Sequence, residues 1–156
     1  MGAKSRIICG AILCGAALGM AMAAPRVPSH QAQGAEEPVP AFHNAAPQGQ
    51  LPATLGPSQF TTVVVQNAYI LAARVKKILY QQPCYCHCDR SQGHASLLDC
   101  FASKHGSGCD VCMREAIYSY EQSHKGKTAT QIRAGIERGE WKQVDMSKYQ
   151  TPVAAK

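Results

Sequence analysis

Six cysteines fall between residues 84 and 112, opening with the run Pro83-Cys84-Tyr85-Cys86-His87-Cys88, and from residue 25 onward the chain has no others. Thiols oxidise readily. A cluster this dense, interleaved with His87, His94 and His105, therefore points to a metal site or to a disulfide framework. Either would act as a staple, and a folded part of fewer than a hundred residues has reason to need one.

Hydrophobic spacing places that cluster among helices. Val64, Ala68, Leu71, Val75 and Ile78 recur at helical intervals, with Asn67, Arg74, Lys76, Lys77 and Gln81 on the other face, so one long helix is expected to run up to Pro83. Pro83 lacks an amide and pushes its predecessor out of helical dihedrals, which leaves Cys84 to Cys88 in a loop. Ser96 with Asp99 three residues on predicts a capped short helix carrying Leu97, Cys100 and Phe101 on one face. Gly106-Ser107-Gly108 breaks it. A third helix is expected from Cys109 or Asp110 to about Gln122, and a fourth from the Thr128/Gln131 cap to near Gly139, burying Ile132 and Ile136. No stretch alternates convincingly like a strand, although Val63-Val64-Val65 is where that reading is weakest. The expected fold is all-α: a small bundle of about four helices with a cysteine-rich loop, spanning residues 58 to 145, followed by a flexible tail over 146 to 156.

Ahead of it, residues 25 to 57 hold seven of the nine prolines and few large apolar side chains. Such a stretch buries too little surface to offset its ordering entropy, and a disordered proline-rich tether is expected, with His30 and His43 solvated. Residues 1 to 24 have the form of a secretory signal peptide: Lys4 and Arg6, then an apolar run, then the small-x-small pattern Ala21-Met22-Ala23. A retained anchor is the alternative, at the short end of the roughly twenty apolar residues a span requires. Periplasmic or extracellular localisation is expected, with membrane association as the variant. Cys9 and Cys14 lie inside this segment, and with Ile8 and Leu13 before them neither suits lipid attachment. Without Lys4 and Arg6, fourteen basic residues face ten acidic ones and the net charge falls from +6 to +4. These charges are scattered and not interleaved with aromatics, which argues against nucleic acid as a partner.

Within the cluster, Cys109-x-x-Cys112 opening a helix is a common half-site for a tetrahedral ion, because one turn brings both sulfurs to the same side and free amides favour anionic sulfur. The Cys84, Cys86 and Cys88 loop supplies the other half, Cys100 comes from the helix between, and His94 beside Gly93 stands next to it. The candidate metal ligands are thus Cys84, Cys86, Cys88, His94, Cys100, Cys109 and Cys112, enough for one ion with spares or for a small multi-metal cluster. His87 and His105 are assigned to exposed loop and Met113 to the core. Soft sulfur selects copper(I), zinc or iron–sulfur, and an exported protein sustains copper or zinc more easily. Covalent haem is not expected, since Cys112 is followed by Met113 and no Cys-x-x-Cys-His is present.

Three functions remain open on the residues alone. The first is an exported copper- or zinc-binding protein, a carrier, store or sensor, whose partner beyond the ion would be another exported or membrane protein. The second is a disulfide-stapled extracytoplasmic structural or interaction module, the usual reading of an even cysteine count in a short exported chain. The third is a thiol–disulfide redox protein, favoured by Cys109 at a helix start but lacking any strand–helix–strand context. No enzyme constellation is visible: Asp89, Asp99 and Asp110 have the positions of caps, and Ser91 and Ser96 lack a base with an orienting partner.

The run Pro83 to Cys88, the Gly93-His94-x-Ser96-Leu97 turn, Asp99-Cys100-Phe101 and Cys109-x-x-Cys112 together resemble the bacterial family of exported, often lipid-anchored proteins with the PCYCGC motif, over about residues 60 to 140. The resemblance implies that the six cysteines and His94 form one unit and carries no activity with it. Here His87 stands where the motif has glycine.

Overall fold

The computed structural model describes residues 37–154; the signal-like segment, Cys9, Cys14, His30 and the first part of the expected tether lie outside the described residues. Among the described residues the fold is all-α. Helix α1 spans Val63–Arg74, α2 Lys76–Leu79, α3 Cys88–Ser91, α4 Leu97–Ala102, α5 Asp110–His124 and α6 Ala129–Glu137, with four short 3₁₀ turns between or around them and no strand.

α5 is the central element, with α1, α4 and α6 packed around it. Ala68 and Ala72 of α1 and Ala116 of α5 are fully buried, and such small side chains let the two helix backbones approach closely. Tyr69, Leu71, Leu79, Leu97, Leu98, Phe101, Ile117, Ile132 and Ile136 fill the remaining core at 1 % exposure or less. Phe60, Tyr69 and Phe101 stack in sequence with ring centroids 4.2 and 4.9 Å apart, tying α1 to α4.

Both expected caps form. The Asp99 carboxylate accepts the amides of Ala95 at 2.7 Å and Ser96 at 3.3 Å, and Thr128 and Gln131 exchange hydrogen bonds at 3.3 and 2.9 Å. The long first helix differs from expectation. It is interrupted at Val75 (φ −122°, ψ 27°) without a proline or glycine. The break redirects the chain so that Gln82, fully buried, accepts the Leu97 amide at 2.9 Å on its backbone carbonyl and donates from its side chain to the carbonyls of Ile78 and Ala129 at 3.0 and 3.2 Å. One residue thereby joins α2, α4 and α6, the first and last through its side chain and α4 through its backbone. Val63-Val64-Val65 is the first turn of α1.

Both ends of the described chain lie along the helical body. Residues 37–57, for which flexibility was expected, contain no α-helix or strand, as their prolines require, yet the Leu55 amide donates to the Phe101 carbonyl at 2.9 Å and His43 stacks on Tyr80 at 3.8 Å. At the other end Asn67, read as part of a solvent face, is 1 % exposed: its amide group donates to the carbonyls of Tyr149 and Thr151 at 2.8 Å each, and its carbonyl oxygen accepts the Val153 amide at 3.0 Å. The polar residue is covered by the tail it binds.

Candidate metal centre

Behind Pro83 the chain makes a tight loop, closed by the His87 amide donating to the Cys84 carbonyl at 3.0 Å. His87 turns that loop in the left-handed region (φ 55°, ψ 34°), and Cys88 opens the single turn α3. Gly93, at φ 68°, then reverses direction so that the His94 amide meets the Cys88 carbonyl at 3.4 Å and the imidazole swings back toward the cysteines. Cys100 points inward from α4 with no exposure. After it, the 3₁₀ turn His105–Gly108 fits closely against α4: a Cβ on Gly106 would stand 3.0 Å from the Cys100 carbonyl and 3.2 Å from the Tyr69 hydroxyl. Glycine there lets His105 reach the cluster. Cys109 caps α5, its sulfur accepting the Cys112 amide at 3.4 Å.

The donor atoms sort into two groups. In the first, Cys86, His105, Cys109 and Cys112 present one ligand atom each within 4.8 Å of one another; in the second, Cys84, Cys88 and Cys100 do the same. His94 Nδ1 lies 3.2 Å from Cys88 Sγ and 3.3 Å from Cys100 Sγ, beside the second group. The groups touch through Cys84, whose sulfur is 3.4 Å from both Cys86 and Cys112. Successive cysteines of the loop thus alternate: Cys84 belongs to the second group, Cys86 to the first and Cys88 to the second again. All seven residues singled out in the sequence stand here, and the eighth, His105, was assigned to exposed loop. Its signal was the spacing His105-x₃-Cys109, which puts an imidazole one turn ahead of a Cys-x-x-Cys helix start.

All six cysteines are free. Their close pairs are 3.3 to 3.5 Å apart, for instance 3.3 Å between Cys88 and Cys100, against about 2.05 Å for a disulfide. Around a tetrahedral zinc with Zn–S bonds of about 2.3 Å, neighbouring sulfurs would stand about 3.8 Å apart, so a few tenths of an ångström of expansion would fit an ion. These Cys/His groups can hold a metal ion.

The two groups differ in their surroundings. Cys84, Cys88 and Cys100 are at most 3 % exposed, whereas in the first group only Cys112 is fully buried and Cys86, His105 and Cys109 are half-buried, as is His94 beside the second group. The neighbouring thiols, Cys100 foremost and then Cys112 and Cys84, favour the thiolate of Cys86 and depress its pKa, while the same crowding, led by Cys112, holds the Cys100 thiol protonated well above the ordinary range. A metal would have to displace such protons. Burial pushes the Glu115 carboxyl up to about 8. This residue, unmarked in the sequence, accepts the Tyr85 amide at 2.9 Å on one oxygen, while its other oxygen is buried without a hydrogen bond. It fixes the loop between Cys84 and Cys86. His87 faces away, its Nε2 3.0 Å from Glu37 Oε2.

Asp99 caps α4, as its spacing from Ser96 predicts. Asp110 lies in the first turn of α5 and pairs with Arg114 at 2.5 Å, while Asp89 accepts the Ala41 amide at 3.1 Å. Met113 is 9 % exposed and belongs to the core.

No curated protein and no solved structure matches the chain. Residues 17–154 match the family described as protein of unknown function with PCYCGC motif. The left-handed residue at position 87 explains the glycine in that motif, since glycine adopts positive φ without steric cost and histidine does not. With the match running over most of its length, and the motif's cysteines gathered at one centre, the chain belongs to the PCYCGC-motif family.

Proposed function

We propose that this protein is an exported soft-metal protein that holds a pair of ions, zinc before copper(I), in two adjacent Cys₃His sets. The observation that carries the reading is the sorting of eight donors into two groups of three sulfurs, each with an imidazole beside it. Sulfur-rich sets select zinc or copper(I) among the soft metals, and a closed four-ligand Cys₃His set is a standard tetrahedral zinc environment. Four protein ligands leave no open coordination position, so the ions serve binding and structure rather than hydrolysis. Export is supported by the signal-like first 24 residues, and a store or carrier role suits a site made almost wholly of thiols.

Native mass spectrometry of the reduced protein titrated with zinc, combined with thiol counting, tests this reading. Two zinc equivalents per chain, with the six thiols between residues 84 and 112 protected from alkylation, are expected. A metal-free chain six protons lighter than its reduced form would replace the reading with a disulfide-stapled module.

A further inference from the structure

The sulfurs of the two ligand sets have unequal access to solvent: two of the three in the outer set are partly exposed and all three of the inner set are buried, with Cys84 and Cys88 lying under the segment ahead of the helices. Residues 37–43 cross the second set as a strap. Pro40 is buried, and Pro40 and Ala41 line a space shared with Cys84, Cys88, Asp89 and His94 that is too small to admit a water molecule. Four contacts hold the strap down: Glu37 on His87 at 3.0 Å, the Ala41 amide on Asp89 at 3.1 Å, Phe42 under the Arg133 guanidinium at 4.3 Å, and His43 stacked on Tyr80 at 3.8 Å. None of them touches the first set. Cys86, His105 and Cys109 are half-buried on the other side of the shared Cys84 contact.

From this arrangement we propose that the two sets do different work: the outer set, Cys86, His105, Cys109 and Cys112, exchanges its ion with an acceptor in solution, while the inner set, Cys84, Cys88, Cys100 and His94, keeps its ion behind the strap. The proposal rests on the metal reading above. Ligand exchange at a closed thiolate site proceeds by an incoming donor attacking the ion while protein ligands still hold it, so the rate depends on whether that donor can approach. The imidazoles do not distinguish the sets, since His94 and His105 are both partly exposed, but two partly exposed sulfurs, Cys86 and Cys109, permit approach at the outer ion. At the inner ion the sulfurs are buried, and approach requires the strap to lift, a local opening with its own free energy. The inner ion is thus a structural one and the outer ion the transferable one. Two chemically similar donor sets acquire separate roles from their covering alone.

The test uses the full chain loaded with two equivalents of zinc and challenged with excess 4-(2-pyridylazo)resorcinol. Release is expected in two phases of one equivalent each. Asp89→Ala should accelerate the slow phase about tenfold, the effect of losing one charge-assisted hydrogen bond from the strap, Pro40→Gly should accelerate it by removing the buried ring, and both should leave the fast phase unchanged. His105→Ala should remove the fast equivalent and retain the slow one. Hydrogen exchange at the His43 amide, which donates to the Tyr80 carbonyl and keeps that acceptor in both variants, reports strap opening independently, and across wild type and both strap variants the slow release rate should rise in step with it. A single release phase for both ions would overturn the proposal while leaving the metal reading intact. So would a slow phase that stays fixed as His43 amide exchange rises, or strap variants that change neither rate. A reduced chain that binds no zinc would refute the metal reading itself.

Discussion

His87 is the residue at which this chain departs from its family's motif, and its φ of 55° puts the departure at the one described non-glycine position with positive φ. A non-glycine residue there costs about 1–2 kcal/mol, and the half-exposed pair with Glu37 returns at most about 1 kcal/mol. His87→Gly should therefore leave stability unchanged or raise it slightly, with the zinc stoichiometry intact; thermal unfolding and native mass spectrometry read both. Gly135 is a stricter position. A Cβ there would stand 2.0 Å from the Tyr118 hydroxyl, which bonds Glu140, and Gly135→Ala should destabilise by about 2 kcal/mol through overpacking, seen as a lower denaturation midpoint. Glu115 gives a pH signature in the metal-free, reduced protein. Its folded pKa of about 8 lies above the ordinary carboxylate value, so the folded state holds the proton more tightly and this contribution is fully present at acid pH. It is lost as pH rises from the ordinary carboxylate range through 8, each pKa unit being worth about 1.4 kcal/mol. Glu115→Gln should flatten that decline in denaturation curves measured between pH 5 and 8.

Among the elements, those specified by local rules could be read from sequence, and those specified by distant partners could not. The Ser96/Asp99 and Thr128/Gln131 caps, the stop at Pro83 and the helix opening at Cys109 each depend on residues within four positions of one another. The break at Val75 carries no local signal; its reward is the placement of Gln82 between α4 and α6. The burial of Asn67 is equally silent, because the helical period assigned it to water and only the returning tail covers it. His105 was misplaced for a related reason: a histidine between Lys104 and Gly106 looks exposed until α4 and α5 bring their cysteines to it. The donor pair Cys109 and Cys112 is nevertheless held by the first turn of α5, with Cys109 as its cap. Cys112→Ser should abolish zinc binding at the outer set and lower the melting temperature of the zinc-loaded protein, since metal-binding free energy in so small a fold is partly folding free energy. Calorimetry of the variant with and without zinc measures both effects.

On the scale of the whole molecule, the helical body is enclosed by its own ends, with Leu55 bonded to Phe101 on one side and Thr151 and Val153 bonded to Asn67 on the other. Limited proteolysis of the zinc-loaded protein should leave a resistant fragment that retains both Phe42 and Val153; a fragment starting near Ser58 would show that residues 37–57 detach readily. Removing the metal should loosen the same body, because the loop from Cys84 to Cys88, α4 and the start of α5 meet chiefly around the donor atoms. The interleaving of Cys84, Cys86 and Cys88 carries one more consequence. A loop whose alternate residues belong to different donor groups cannot be shaped for one group without being shaped for the other. On the two-ion reading proposed above, the ion that binds first would bear the entropy of ordering that loop and the next would meet donors already in place, so binding should be cooperative. Titrated with zinc, the chain should pass from empty to doubly loaded with little singly loaded form between, and Cys100→Ser, a change confined to the inner set, should weaken the affinity of the outer one.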